Sequence, residues 1–169
     1  MTPREHLPQG TRLCLVNAEN AARSPSAATE LVEIEGIVRA FFAAFTSGPE
    51  SSTRLDDLRS LFLPGALIVR TCGSEPVRYS VEEFIAPREA LLSGGTLVDF
   101  REWHVSGRTD LFGDIAHWFG TYAKAWEQDG TPFSGRGMKS LQFVRTGEGW
   151  RISAAAWDDE REGVTISSG

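Results

Sequence analysis

Cysteine is scarce in this chain of 169 residues. Cys14 and Cys72 are its two cysteines and share no C-x-x-C spacing, which excludes a disulfide framework and fits a reducing cytoplasm. With three histidines, no H-x-x-x-H pair and no C-x-x-C spacing, a metal centre would need ligands gathered from scattered carboxylates, so no metal or cofactor site is assigned. Long apolar runs are missing too: Leu13-Cys14-Leu15-Val16 is far short of the ~20 residues that cross a bilayer, and neither a signal peptide nor a membrane span is expected. Positive charge is not in excess. A net charge of -6 and a pI near 5.1 disfavour nucleic acid and anionic membranes as partners, while leaving room for a local basic pocket. There is no G-x-S-x-G elbow and no G-x-G-x-x-G fingerprint. Ser134-Gly135-Arg136-Gly137-Met138-Lys139-Ser140 lacks the G-x-x-x-x-G-K spacing and precedes a strand, so it reads as a glycine-rich strand start.

What is present is a core. A hydrophobic content of 41% supports one sizeable domain, expected over 29–160, after a loosely ordered extension over 1–28 and before a flexible tail over 161–169. Ile34, Ile37, Val38, Phe41, Phe42 and Phe45 recur on one helical face, and Gly48-Pro49 should stop that helix. Leu55, Leu58, Leu61 and Phe62 mark a second helix ending at Pro64-Gly65. Residues 66–72 and 76–79 read as a hairpin, Ser80-Val81-Glu82-Glu83 as a capping box opening a third helix, and Gly94-Gly95 as its end. Four further strands, near 96–108, 114–127, 133–146 and 149–158, are separated by short turns and form an antiparallel meander.

Helix, short helix, hairpin, helix and meander, closed by Gly147-Glu148-Gly149-Trp150-Arg151-Ile152 and Trp157-Asp158-Asp159-Glu160, resembles the NTF2-like (SnoaL-like) superfamily over roughly residues 29–160. The resemblance implies an α+β cone, the cystatin-like roll, in which a curved antiparallel sheet of about six strands wraps three helices. It also implies a pocket on the concave face and a dimer through the convex one. Function does not follow, because this fold hosts isomerases, cyclases, dehydratases, hydrolases and binding modules. Set against steroid isomerases, Phe41 replaces the oxyanion-hole tyrosine, Arg70 the general-base aspartate and Lys139 the protonated aspartate. A permanently protonated guanidinium takes no proton, so that isomerase chemistry is not expected here.

Strand alternation then sorts the candidates. A hairpin over 109–113 pairing Trp103 with Phe119, and a turn setting Lys139 opposite Thr121, put Asp99, Arg101, Trp103, His117, Phe119, Thr121 and Lys139 on one face. The isomerase comparison makes that face the inner one. Arg70 and Lys139 are then anion-recognising groups, Phe41, Trp103, Phe119 and Trp157 walls, and Asp99 and His117 candidate proton carriers. Phe100, Trp118, Tyr122 and Trp126, with Met138, fall on the convex face, where so many aromatics call for a homodimer. The functional expectation is a pocket for a polar or anionic small molecule, with cofactor-independent acid-base chemistry open to it. The alternative is a non-catalytic association or ligand-binding module whose pocket its own side chains fill.

Overall fold

The computed structural model describes residues 26–166. Most of the expected extension over 1–28, including Cys14, and the end of the expected tail, 167–169, lie outside the described residues.

Helix α1 (Ala27–Ala43) is capped by Ser26, whose hydroxyl accepts from the Thr29 amide at 3.3 Å, and it buries Ile34, Val38, Phe41 and Phe42 as the apolar stripe predicts. It stops short of Gly48-Pro49. Thr46 bridges to Arg101, and the Ser47 amide donates to the Phe100 carbonyl at 2.9 Å, so the backbone is needed by the sheet edge before the proline. Helix α2 (Ser51–Leu61) runs directly into β1 (Phe62–Arg70). Pro64-Gly65, expected to separate the two, lies inside β1 where its pairing shifts register between Phe62 and Leu67, a place where a missing N–H is tolerated. After β2 (Val77–Tyr79) comes α3 (Val81–Ser93). Its capping box is complete: the Ser80 hydroxyl accepts from the Glu83 amide at 3.2 Å and the Glu83 carboxylate accepts from the Ser80 amide at 2.8 Å. Those bonds hold the Glu83 carboxyl below its usual value.

The meander consists of β3 (Val98–Phe112), β4 (Ile115–Gln128), β5 (Thr131–Thr146) and β6 (Gly149–Asp159). The six strands form one sheet in the order β2-β1-β6-β5-β4-β3. The sheet is mixed rather than wholly antiparallel, because β1 runs parallel to β6. That pairing follows from connectivity: β1 enters from a helix and not from a hairpin with its neighbour.

The faces of β3 and β4 are the reverse of those expected. The β3–β4 connection is a tight turn at Gly113-Asp114 instead of a loop over 109–113, and a bulge at Val105 adds a second shift. The two shifts cancel in parity, so Trp103 opposes Ala123 and not Phe119 but still shares a face with Phe119. The β4–β5 turn is Asp129-Gly130, with φ of 52° and 73°, the conformation a two-residue type I′ hairpin demands. It sets Lys139 opposite Gly120, one residue from the expected Thr121. A slip of one residue exchanges every side chain between faces.

The helices thus cover the face of β4 that carries Trp118 and Tyr122, 4% and 1% exposed, whose rings lie 5.6 and 6.3 Å from that of Phe42. Gly120 between them makes room: a Cβ there would fall 2.3 Å from the Ser106 carbonyl and 2.5 Å from the Trp118 ring. Phe100 packs on the same core, with Trp126 6.1 Å away. Phe100, Trp118, Tyr122 and Trp126 are consequently not an outer association surface. The outer face instead carries Trp103 and Phe119, 39% and 50% exposed. Near the start of α1, Arg145 binds Glu30 and Asp114 and lies 5.0 Å over the Trp150 ring.

Candidate functional site

On the helix side of the sheet, a cavity of about 520 Å³ opens between α3 and the strands. Strand β1 contributes Arg70, β3 Phe100 and Glu102, β4 Tyr122, Lys124 and Trp126, β5 Lys139, β6 Trp157, and α3 Phe84 and Arg88.

Lys139 is the most deeply placed charge, its side chain only 5% exposed. Its Nζ donates to the Glu102 carboxylate. Aromatic rings surround it, with centroids 4.5 Å away for Tyr122, 4.9 Å for Phe41 and Phe42, 5.5 Å for Phe45 and 5.8 Å for Trp157. Their π faces attract a cation while excluding water. Burial pulls the Lys139 amine below its ordinary value, and Glu102 opposes that shift.

Two guanidiniums complete the charge pattern. The Arg88 Cζ lies 3.8 Å over the Phe84 ring, and its Nη1 donates to the Phe84 carbonyl at 2.6 Å. Burial lowers its pKa, against the nearby Glu102. The buried Nε of Arg70 has no hydrogen-bond partner among the described residues, an unusual condition for a buried donor. Among the described residues, no carboxylate lies within 4.0 Å of either guanidinium. Further along, Asp159 accepts from Tyr122, from Lys124 at 2.9 Å and from the Cys72 thiol at 3.4 Å. Burial disfavours its charge, but these donors prevail and hold its carboxyl below the usual range. The Tyr122 phenol is pushed up by burial and by Asp159. Burial, then Asp159, likewise raises the Cys72 thiol.

No protein-family profile matches the chain, and no curated protein matches it. Solved structures do. An NTF2-like protein with a cystatin-like fold from Novosphingobium aromaticivorans aligns at 19% identity and TM-score 0.60, covering 89% of this chain and 94% of its own. The chain has the NTF2-like fold. A proposed aromatic ring hydroxylase from the same organism aligns at 14% identity and TM-score 0.64, covering 82% of this chain and 93% of its own. A proposed calcium/calmodulin-dependent kinase II association domain from Exiguobacterium sibiricum aligns at 11% identity and TM-score 0.58, covering 82% and 98%. One NTF2-like architecture thus carries proteins named for chemistry and for association, so the residues must decide.

Within this NTF2-like fold, Arg70, Lys139 and Trp157 line the cavity, and Phe41 lies beneath Lys139. Asp99, Trp103, His117 and Phe119 do not meet them. Asp99 sits at the irregular start of β3 with φ of 50°, in a surface cleft beside Arg101 and Phe133. His117 bonds the Ser140 hydroxyl at 2.8 Å and stacks on Phe119 on the outer face. The acid beside Lys139 is Glu102, not Asp99. Sequence reasoning missed Glu102, Tyr122 and Lys124 because all three stand on the parity assigned to the outer face. Arg88 carried a fainter signal: it lies four residues after Phe84 on α3, one helical turn along the same face. None of the helices in the described residues is long and apolar enough to cross a membrane.

Proposed function

We propose that the cavity binds a small organic anion, a carboxylate on a flat or apolar body, and that its acidic and basic groups provide cofactor-independent acid-base chemistry. The observation that carries this reading is the pair of guanidiniums, Arg70 and Arg88, lining one cavity without carboxylate partners among the described residues while Lys124 and Lys139 have theirs. Partly buried cations are costly unless an anion joins them, and a forked guanidinium matches a carboxylate. Phe84, Trp126 and Trp157 supply apolar walls. A cavity of about 520 Å³ argues against the self-filled alternative.

Thermal-shift titration of 2-naphthoate against 2-naphthamide tests the reading. Stabilisation by the acid alone is expected, with Arg70→Met and Arg88→Met each weakening it about tenfold or more, the effect of losing a charge-assisted bond. Equal stabilisation by the neutral amide, or unchanged binding in both variants, would overturn it.

Association between copies is supported by the outer face, where Trp103 and Phe119 stand exposed. Phe119→Lys is expected to reduce the sedimentation mass from dimer to monomer without changing the melting profile of the dilute chain. A wild-type chain that sediments as a monomer would rule the interface out.

A further inference from the structure

The composition of the cavity becomes more specific when its amines are considered. Of the 17 basic residues in the chain, only Lys124 and Lys139 are lysines. Both line this cavity. Elsewhere the chain uses arginine, a base too strong to act as a nucleophile near neutral pH. Lys124 is tied to Asp159 at the side of the cavity, whereas Lys139 stands within its aromatic cage with Glu102 as its single carboxylate partner among the described residues.

We infer that Lys139 is a nucleophile that condenses with the carbonyl of an oxo carboxylic acid to form an imine, with Arg70 and Arg88 holding the carboxylate and Glu102 moving the protons. This rests on the anion-binding reading above and deepens it. Glu102 takes one proton from the ammonium, freeing the nitrogen lone pair. That pair bonds to the carbonyl carbon, and the C=O π electrons pass to oxygen. A second proton moves from nitrogen to this oxygen, giving a carbinolamine. Glu102 returns its proton to the hydroxyl, the nitrogen lone pair expels it as water, and the iminium keeps the third proton and the single positive charge. Ammonium and carbonyl thus become iminium and one water, with charge unchanged. The rings that surround the ammonium face the iminium just as well, so the cage stabilises the cation on both sides of the step. The downward shift of the Lys139 amine eases the first proton transfer.

The test uses the full chain with phenylpyruvate as carbonyl probe, 3-phenylpropionate as its carbonyl-free analogue, and sodium cyanoborohydride to reduce any imine to a stable amine. Intact mass spectrometry is expected to show one adduct per chain, mapped by peptide sequencing to Lys139 and competed by 3-phenylpropionate. Glu102→Gln should slow its formation about 100-fold or more, the scale of general acid-base catalysis. Lys139→Met should abolish it. Because that variant strands Glu102, the double variant Glu102→Leu/Lys139→Met provides a second, better-packed control that must also stay unlabelled. An adduct on Lys124 or on the terminal amine, or no adduct, while both probes raise the melting temperature, would refute the imine and leave anion binding standing. If neither probe raises the melting temperature, the anion-binding reading fails with it.

Discussion

Glu102→Ala is expected to destabilise the fold by about 3–5 kcal/mol, the usual cost of removing one partner from a buried ion pair. Lys139, its side chain 5% exposed, would lose its carboxylate partner, and the five rings around it offer a cation only part of the solvation it would have in water. Replacing both partners with apolar residues of similar volume, Glu102→Leu/Lys139→Met, should recover most of that loss and can exceed the parent by about 1–4 kcal/mol. Urea denaturation of the two variants and the parent checks this. A double variant as unstable as the single one would mean that the pair holds the core together, and its retention would then need no functional reason. Recovery would show a costly pair kept in a cavity, as expected for groups that act on a ligand.

Trp118→Ala is expected to cost about 3–5 kcal/mol, whereas Phe119→Ala, measured at dilutions where the chain is monomeric, should cost under about 1 kcal/mol. The two residues are adjacent in sequence and similar in chemistry, so the contrast isolates the face of β4 that meets the helices. Trp118 lies against Phe42 and over Gly120; Phe119 is half exposed and rests on the ring of His117. Comparable losses would overturn the face assignment seen in the structure, and the reverse order would restore the one read from the sequence.

Much of the architecture was legible in local chemistry. The apolar stripe from Ile34 to Phe42 specified a buried helix face, and Ser80 with Glu83 specified where α3 begins. The short turns expected between 127 and 133 and between 146 and 149 fall at Asp129-Gly130 and Gly147-Glu148. The reversal of Trp103, Phe119 and His117 against Trp118, Tyr122 and Glu102 came from small geometric quantities. The two-residue turn at Asp129-Gly130 sets Lys139 one residue from its expected partner, which moves the inner face to the even residues of β4, while the tight β3–β4 turn and the bulge at Val105 cancel in parity. Exact register is not written in the local sequence, yet its parity decides which of two neighbours becomes core and which becomes surface.

Composition, helix periodicity and turn chemistry by themselves determined the order of the elements, because these depend on residues close together in the chain. The resemblance to steroid isomerases brought Arg70 and Lys139 forward as positive charges for the inner side. Only the tertiary structure decided that Glu102 accompanies Lys139, that Arg88 reaches toward the cavity from α3, and that Asp99 and His117 lie elsewhere. The reason is that side-chain meetings across a sheet depend on register, a long-range property in which an error of a single residue turns one face into the other.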